Sequence, residues 1–415
     1  MPLDLTAEER ALLNGAQGEG AAMAMRLVCD SARLLKAPSL VPVASAHIDG
    51  ALYHGDSGTL FAERLVELGA KVSIRSTLNV GALDLTGCSS DRLLPHERDM
   101  ARRMMKAYIK LGCEPSWTCS PYQAGHRPAL GSDVAWGESN AVVFCNSVLG
   151  ARTNRYGDFL DIACAIAGRA PKYGLHLAEN RRATFVFDVS GLPREAFTEE
   201  TFWPILGSLY GRKAGTAIGV VKGVPAHPGE DALKAFGAAS ASTGGVGLFH
   251  IAGVTPEAPS VDAIISDAIS METIMINQNG YLEQKKRMAT VDGASRIDAV
   301  AIGSPHLSAE EFIRLEQYVA GRKLAIPFYA CTGRHALSDI DQSGLRKRLE
   351  ASGITVVVDT CVVVTPIMKE LSGGVLMTNS GKFAQYAPGN TGYGVLFGSM
   401  AECVESAVTG RPAYA

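Results

Sequence analysis

The C-terminal third of the chain alternates aliphatic runs with amphipathic stretches. The runs are bounded by Gly, Pro, Asn or Asp, which is typical of buried parallel strands. The stretches between them repeat apolar residues with helical spacing, which is typical of helices packed on a sheet. The predicted strands are 297–304, 324–331, 354–361 and 373–379, and the predicted helices are 309–321, 338–353 and 400–410. This order predicts a doubly wound parallel sheet with right-handed crossovers.

The rest of the chain shows the same alternation less regularly. The middle predicts strands at 183–191, 216–223 and 246–254, a helix at 230–242 and an irregular connector at 255–296. The N-terminal part predicts strands at 39–48 and 71–77 and helices at 6–14, 60–70 and 96–112. We therefore predict an α/β protein of several α/β subdomains. These are an N-terminal region with substrate loops (1–135), a middle region (136–290) and the C-terminal doubly wound domain (291–415), with the active site between them.

Composition and charge narrow the class of protein. The chain has 415 residues, 47% of them hydrophobic and 20% charged, as is ordinary for a soluble protein of several domains. A net charge of -3 argues against a nucleic-acid partner. No apolar run approaches the ~20 residues that a membrane span needs. Thr6 and Glu9 predict a capped helix rather than a signal peptide, so we expect a cytoplasmic protein.

Cysteine usage argues against two kinds of site. An odd count in a long chain is unlike a disulfide framework, and the absence of a CxxC pair argues against a zinc ribbon. Most of the thiols are predicted to fill the core, whereas those beside Gly, Pro, Asn or Asp are candidate ligands. The nine cysteines are at positions 29, 88, 113, 119, 145, 164, 331, 361 and 403.

The predicted strands of the C-terminal domain end in polar or sulfur-bearing residues. Three ends carry Ser304, Cys331 and Cys361, and the fourth runs into the loop that contains Lys382. Ligands of doubly wound sheets bind beyond the carboxyl ends of the strands, so these ends face one crevice. This placement favours a site role for Cys361 over core packing. Lys382, in a Gly-rich loop that opens a helix, suits an anion although no Walker A motif is present.

The loop at 45–58 allows two interpretations. It follows a predicted strand and holds His47, Asp49, His54, Asp56 and Ser57. It is either a polar surface turn or a substrate loop with a general base.

Two further stretches in the first half of the chain are ambiguous in the same way. Cys119, in an aromatic and Pro-rich loop, is either a ligand or core filler. Glu138 and Ser139 open a helix whose N-terminus favours an anion such as a substrate carboxylate. The alternative is N-capping by Ser139 next to the solvated pair Arg152 and Arg155.

Several motifs together resemble one family. They are "WTCSPY" (117–122), "WGESNAVVFCNSVLGARTNR" (136–155), "GLHLAENRRA" (174–183), "GSPH" (303–306), "DTC" (359–361) and "TNSGKFAQYAPG" (378–389). The chain resembles the aconitase X family over nearly its whole length. The resemblance implies a fold of the aconitase superfamily, whose members are iron–sulfur lyases that remove water across a carbon–carbon bond.

The resemblance implies an iron–sulfur cofactor with one altered ligand. In the phosphomevalonate dehydratase of the family, three cysteines hold the cluster, and two of them match Cys119 and Cys361. The third matches Ser304, so Cys331 or Cys145 is expected to replace it. A 2Fe–2S cluster is expected, with 4Fe–4S and 3Fe–4S clusters as alternatives.

The resemblance also implies substrate positions. Asn79, Glu138, Ser139 and Lys382 match those of the family, whereas the turn beginning at Gly50 lacks the hydroxyl of a phosphate-binding Gly-Val-Ser turn. We therefore expect dehydration of cis-3-hydroxy-L-proline.

In that reaction we expect Ser57 to act as the base, by analogy with a serine base elsewhere in the superfamily. Lys382 would lower the pKa of Ser57 or bind the substrate carboxylate. Glu138 or Asp56 would bind the substrate ammonium.

Two alternative functions remain open. One is the large subunit of a phosphomevalonate dehydratase, which would need a small partner subunit. The other is a cluster-free α/β protein that binds a small molecule, with the cysteines as filler. Under the favoured interpretation we expect a monomer.

Overall fold

The computed structural model describes residues 3–225, 228–265 and 271–413. The chain divides into two compact units. Unit 1 comprises residues 1–83 and 93–182, and unit 2 comprises residues 84–92 and 183–415. Across the described ranges, no helix combines the length and the apolar content that a membrane span requires.

Unit 1 contains a small parallel sheet flanked by helices. Its central strand β2 pairs in parallel with β3 on one side and β4 on the other, so all three carboxyl ends lie at one edge. Its helices are α1 (Ala7–Leu13), α2 (Glu19–Leu34), α3 (Asp56–Glu67), α4 (Pro95–Lys110), α5 (Ser139–Phe144) and α6 (Leu160–Ala167). Its strands are β1 (Leu40–Pro42), β2 (Ser45–Ile48), β3 (Arg75–Leu78), β4 (Ala135–Trp136) and β5 (Arg169–Pro171).

Some predictions for unit 1 are confirmed, and others are wrong. The capping box of Thr6 and Glu9 at the start of α1 is confirmed. The single strand predicted at 39–48 is wrong, because the chain forms two strands there in different sheets. Pro42 has no N–H to donate, so it ends β1, which pairs with β5 before β2 begins at Ser45. The prediction also missed α2.

Unit 2 continues the alternation of strands and helices to the end of the chain. Its strands are β6 (Phe185–Asp188), β7 (Gly219–Lys222), β8 (His250–Ile251), β9 (Glu272–Met275), β10 (Ala299–Leu307), β11 (Phe328–Thr332), β12 (Ile354–Val358), β13 (Val375–Thr378) and β14 (Gly394–Phe397). Its helices are α7 (Phe202–Ala214), α8 (Glu230–Gly244), α9 (Val261–Ile264), α10 (Gln278–Arg287), α11 (Ala309–Val319), α12 (Arg334–Gln342), α13 (Leu345–Ser352), α14 (Gly381–Thr391) and α15 (Met400–Thr409).

The predicted doubly wound parallel sheet is confirmed in unit 2. Five parallel strands lie in the order β12-β11-β10-β13-β14, which places the reversal of strand order between β10 and β13. A second parallel sheet has the order β8-β7-β6-β9. The first sheet packs Val300, Phe328 and Val356 into a core with Phe312 of α11 and Val404 of α15. Both sheets are parallel and alternate with helices along the chain, which confirms the predicted α/β class.

Three predictions for unit 2 need correction. The helix predicted at 338–353 is two helices, because Gly344 takes a left-handed conformation (φ 68°) between α12 and α13. The segment predicted to be irregular at 255–296 contains α9, β9 and α10, although its residues 266–270 lie outside the described part. The prediction also missed β14 and α7, and α7 is a nearly all-round buried helix, which shows little helical periodicity.

Candidate active site

In unit 1, the loops that follow β2 and β3 meet through Asn79. Its backbone N–H donates to the Ile48 carbonyl at 2.9 Å, and its Nδ2 donates to Asp49 Oδ1 at 2.5 Å. Asn79 is 2% exposed, and its Oδ1 accepts no hydrogen bond from the described residues. A buried acceptor without a partner carries an energetic cost that a ligand donor would remove. Asn79 and the loop of Gly50 are therefore brought together, and they offer acceptors to a ligand.

Glu138 lies in the loop after β4 in a strained conformation. It adopts φ 67°, which is uncommon for a residue with a side chain and often marks functional sites. Its Oε2 accepts the Ala141 N–H at 2.7 Å, and its Oε1 accepts the Ser139 hydroxyl at 3.3 Å. The alternative interpretation, in which Ser139 caps this helix, is therefore wrong, because Glu138 is the N-cap. The N-terminus of α5 already holds a carboxylate of the chain, and α5 is only six residues long.

The two other predicted residues of the first substrate loop lie on the surface of unit 1. Asp56 accepts hydrogen bonds from the Tyr53 hydroxyl at 2.8 Å and from His96 Nε2 at 2.9 Å. The hydrogen bond from His96, followed by the one from Tyr53, lowers the pKa of Asp56. Ser57 is exposed in the first turn of α3. The structure thus separates Asp56 and Ser57, as an exposed pair, from the buried Asn79.

Cys119 lies in a buried loop of unit 1 that contacts the end of β3. The neighbouring Thr118 N–H donates to the Leu78 carbonyl at 3.2 Å, and Asn140 Nδ2 donates to the Cys119 carbonyl at 2.8 Å. Cys119 is 5% exposed. Cys145 begins a π-helical turn after α5 and is fully buried. Burial raises the pKa of the Cys145 thiol, opposed only by the charge of Arg181, and this favours the protonated thiol.

A residue that the sequence analysis missed is Asp161, in the first turn of α6. Its Oδ2 accepts the backbone N–H groups of Asp49 at 2.7 Å and Gly50 at 3.0 Å. Complete burial raises its pKa to about 7, and the charge of Asp49 adds to this effect. The sequence feature that could have identified Asp161 is its position as the one charged residue in the otherwise apolar helix "LDIACAIA". A buried carboxylate without a cation is uncommon in a core.

In unit 2, the exits of β10 and β13 meet at the reversal of strand order. The Ser380 hydroxyl, which caps α14 by accepting the Phe383 N–H, also donates to the Ser304 carbonyl. Lys382 lies half-buried in the first turn of α14. The structure therefore brings Ser304 close to the segment that carries Lys382, where ligands of such sheets bind.

Cys361 follows β12, and Cys331 lies within the neighbouring strand β11 of the same sheet. Cys361 lies three residues beyond the end of β12, in a buried turn, and is 6% exposed. Cys331 lies inside β11, opposite Val357, and its backbone packs directly against Gly303. Gly303 precedes Ser304, so the backbone of Cys331 is a close neighbour of the position where the resemblance places a third thiol.

The turn of Cys361 is held in place by the exit of β10. Burial lowers the pKa of His306 to about 3, so the ring is neutral and its Nε2–H donates to the Thr360 carbonyl at 3.1 Å. Asp359, at φ 63°, accepts two hydrogen bonds from Arg334 at 2.7 and 2.8 Å. Both contacts fix the backbone on the N-terminal side of Cys361.

A buried ion-pair cluster, also missed from the sequence, supports the same exit. Lys234 of α8 is 2% exposed and donates to Glu311 at 2.6 Å and to the His306 carbonyl at 3.1 Å. It also pairs with Asp231 at 2.9 Å. Burial lowers the pKa of Lys234, but the carboxylates of Glu311 and Asp231 outweigh burial and raise it. Lys234 therefore stays charged and ties α8 to the exit of β10.

The donor atoms present in each unit fit an iron–sulfur cluster in their chemistry. Cys119 and Cys361 are buried thiols in loops at the carboxyl ends of parallel strands, as expected of such ligands. Ser304 offers a hydroxyl where the resemblance places a thiol. In the described ranges, no three His, Cys, Asp or Glu side chains converge as a metal site. The ligand roles of Cys119, Cys361, Cys331 and Cys145 remain predictions.

Comparison with known proteins gives concordant matches along the chain. Three family models match it: aconitase X first domain over residues 2–179, aconitase X second domain over 183–284 and aconitase X third domain over 297–409.

Two curated relatives and one solved structure illustrate the similarity. The chain is 39% identical over 412 residues to cis-3-hydroxy-L-proline dehydratase of Pseudomonas aeruginosa, covering 98% of this chain and 70% of that protein. It is 37% identical over 405 residues to the phosphomevalonate dehydratase large subunit of Methanothermobacter thermautotrophicus, covering 95% and 96%. The crystal structure of Thermococcus kodakaraensis aconitase X (holo-form) superposes with a TM-score of 0.86 at 32% identity, covering 97% of this chain and 100% of that chain.

Proposed function

The chain belongs to the aconitase X family of hydro-lyases, and we propose that it converts cis-3-hydroxy-L-proline to Δ1-pyrroline-2-carboxylate. The similarity to the Pseudomonas dehydratase over 98% of the chain supports this substrate. One structural observation supports this choice: the Asn79 amide donates from Nδ2 to the carboxylate of Asp49, while its buried Oδ1 accepts no hydrogen bond from the described residues. Two acceptors suit the secondary ammonium of a hydroxyproline.

The charge of the neighbouring loop disfavours a phosphate substrate. The loop at 49–58 contains Asp49 and Asp56 but no Lys or Arg. A phosphate dianion beside a carboxylate is opposed by roughly 1 kcal/mol or more per close pair at a partly screened site. A phosphate site would instead need converging cations or backbone N–H groups.

The proposed reaction removes one molecule of water. A base takes the proton from the carbon that bears the carboxylate, and hydroxide leaves from the neighbouring carbon. That proton and the hydroxide together make up the water that is lost. The resulting enamine tautomerises to Δ1-pyrroline-2-carboxylate. Ser57 is the proposed base, Lys382 binds the substrate carboxylate or assists Ser57, and Glu138 with Asn79 and Asp49 orients the ammonium. Because Ser57 is exposed in the first turn of α3, its assignment requires that substrate binding bury its hydroxyl.

We further propose an iron–sulfur cofactor held by Cys119 and Cys361. A 2Fe–2S cluster is favoured, with 4Fe–4S and 3Fe–4S clusters as alternatives. When bound, such a cluster supplies a Lewis acid for the leaving hydroxyl. The resemblance assigns the two thiols, and their buried positions in strand-end loops support the assignment.

Substrate turnover tests the proposed function directly. We expect the anaerobically purified enzyme to convert cis-3-hydroxy-L-proline and to leave 5-phosphomevalonate unchanged, because the 49–58 loop offers acceptors rather than cations. Nuclear magnetic resonance of each mixture would show the Δ1-pyrroline-2-carboxylate or the anhydro product. Turnover of 5-phosphomevalonate alone would contradict the proposal.

A second prediction concerns the third cluster ligand. Cys331 packs against Gly303, next to Ser304, so Cys331→Ala is expected to change the visible absorption of the purified protein. Cys145→Ala, at the buried thiol that begins the π-helical turn after α5, tests the other candidate ligand in the same way. Cys403→Ala, at a fully buried thiol of α15, is the matched control. Unaltered spectra from both Cys331→Ala and Cys145→Ala would point to Ser304 or a non-protein ligand.

A second candidate function has one observation in its favour. The chain covers 96% of the phosphomevalonate dehydratase large subunit, against 70% of the Pseudomonas dehydratase. As such a large subunit, it would act with a small partner subunit rather than as the monomer that we favour. Co-purification of a small protein that is required for turnover would support this candidate. Colourless, iron-free protein after anaerobic purification would instead favour a cluster-free binding protein.

A further inference from the structure

Asp161 lies beneath the carboxyl edge of the unit 1 sheet and accepts three backbone hydrogen bonds. Its Oδ2 accepts from Asp49 N at 2.7 Å and Gly50 N at 3.0 Å, and its Oδ1 accepts from Ile162 N at 2.6 Å. The side chain is fully buried in a helix whose other residues are apolar. Asp161 is 112 residues away from Asp49 in the chain, so this contact joins α6 to the loop after β2.

Two glycines allow the strand-end loops to approach this carboxylate. A Cβ on Gly50 would lie 2.9 Å from the Tyr108 hydroxyl and 3.5 Å from Asp161 Oδ1. A Cβ on Gly137 would lie 2.7 Å from the Asp49 Cβ and 3.3 Å from Asp161 Oδ2. The first distance at each position is shorter than real Cβ contacts permit. The backbones after β2 and β4 therefore close around one carboxylate group.

We propose that Asp161 is a positioning residue that fixes the Asp49–Gly50 loop and, through the Asp49 carboxylate, the amide of Asn79 for the substrate. This inference rests on the proposed function, which assigns Asn79 and Asp49 to the substrate ammonium. Asp161 does not face the substrate. Instead, it holds the backbone N–H groups of Asp49 and Gly50. The Asp49 Oδ1 in turn accepts a hydrogen bond from Asn79 Nδ2 at 2.5 Å and so orients the Asn79 amide.

The charges around Asp161 make its ionisation sensitive to pH near neutrality. The titratable groups that face it are Asp49 from the β2 loop, Tyr108 and Cys113 from α4 and its exit, and Cys164 from α6. None of them is a cation. Burial first, and Asp49 second, raise the pKa of Asp161 to about 7, while the backbone N–H groups oppose the shift.

The direction of the pH effect follows from hydrogen-bond strength. The ionised carboxylate accepts the Asp49 and Gly50 N–H groups as charge-assisted bonds, which are stronger than bonds to the neutral acid. Acidification through about pH 7 protonates Asp161 and weakens the hold on the loop. Substrate binding is therefore expected to weaken as pH falls.

The test compares the wild-type holoenzyme with Asp161→Asn. In the variant an uncharged amide replaces the carboxylate, so we expect KM for cis-3-hydroxy-L-proline to rise about tenfold with a smaller change in kcat. The fall of kcat/KM on acidification below about pH 7 is expected to lessen in the variant. Asp30→Asn, at an exposed position of α2 where Asp30 pairs with Arg33, is the control for which wild-type kinetics are expected.

Amide hydrogen exchange of the substrate-free wild-type protein tests the same contact without any variant. The protection factors of the Asp49 and Gly50 amides, corrected for intrinsic exchange, are expected to fall when the pH is lowered from 8 to 6. This range spans the pKa of Asp161, which is about 7. Unchanged protection, or an Asp161→Asn enzyme with the KM and pH profile of wild type, would overturn the inference. If the wild type does not turn over cis-3-hydroxy-L-proline, the proposed function fails, and amide protection still decides the role of Asp161.

Discussion

Cys361→Ala is expected to lower bound iron and dehydratase activity by more than about a hundredfold while the protein stays folded. The thiol is the proposed ligand, so its loss removes one of two thiolates that the resemblance assigns to the cluster. The fold should survive because the turn depends on the Cys361 backbone, whose carbonyl accepts the N–H groups of Val364 and Thr365. Alanine retains both bonds. Iron and sulfide analysis after anaerobic purification, with a thermal melt, measures the two effects.

The same measurements on Cys403→Ala control for the loss of a buried thiol. Cys403 is fully buried on α15 within the hydrophobic core of the same sheet. Its replacement should lower stability slightly and leave iron content unchanged. A Cys361→Ala protein with full iron content would show that this thiol only fills space behind β12.

Lys234→Met is expected to lower the free energy of unfolding by roughly 3–5 kcal/mol, because it removes the buried cation of Asp231 and Glu311. The two carboxylates then keep the half-exposed Arg314, at 3.7 and 4.0 Å, as a cationic partner. Methionine fills a similar volume, so the cost comes mainly from the loss of the buried ion pairs. It also removes the hydrogen bond to the His306 carbonyl. Urea unfolding followed by circular dichroism measures the change.

Lys222→Met is a matched control for this ion pair. Lys222 pairs with Asp188 at 3.0 Å, but its side chain is 42% exposed, so solvent screens the interaction. We expect a change within about 1 kcal/mol. Equal losses for Lys222→Met and Lys234→Met would show that burial of the Lys234 cluster is not what makes it important.

Local sequence signals predicted much of unit 2 and less of unit 1. The aliphatic runs of β10, β11 and β12 are buried on both faces of a parallel sheet, so they are uninterrupted and easily recognised. The β2 and β3 strands of unit 1 are only four residues long, and each mixes polar with apolar residues. Their bounds were accordingly misplaced, and the strand predicted at 39–48 merged two.

The sequence also named several residues of the candidate site correctly as neighbours of strand ends. Asn79 follows β3 and Cys361 follows β12, as their positions after aliphatic runs predicted. Ser304 was predicted to end its strand, but β10 continues to Leu307. Their chemical roles came from motifs that resemble the aconitase X family. The structure placed Asp56 and Ser57 on the exposed start of α3, which periodicity alone did not indicate.

By itself, the sequence determined the α/β class, the doubly wound sheet and the loops that carry candidate chemistry, because these depend on periodicity and on short motifs. Only the tertiary structure decided which side chains meet. Asp161 reaches Asp49 across 112 residues, and Lys234 reaches Glu311 across 77. Such contacts depend on strand order and on how helices pack, and neither is encoded in local spacing. Both residues are charged groups on largely apolar helix faces, where burial costs free energy unless a distant partner compensates it.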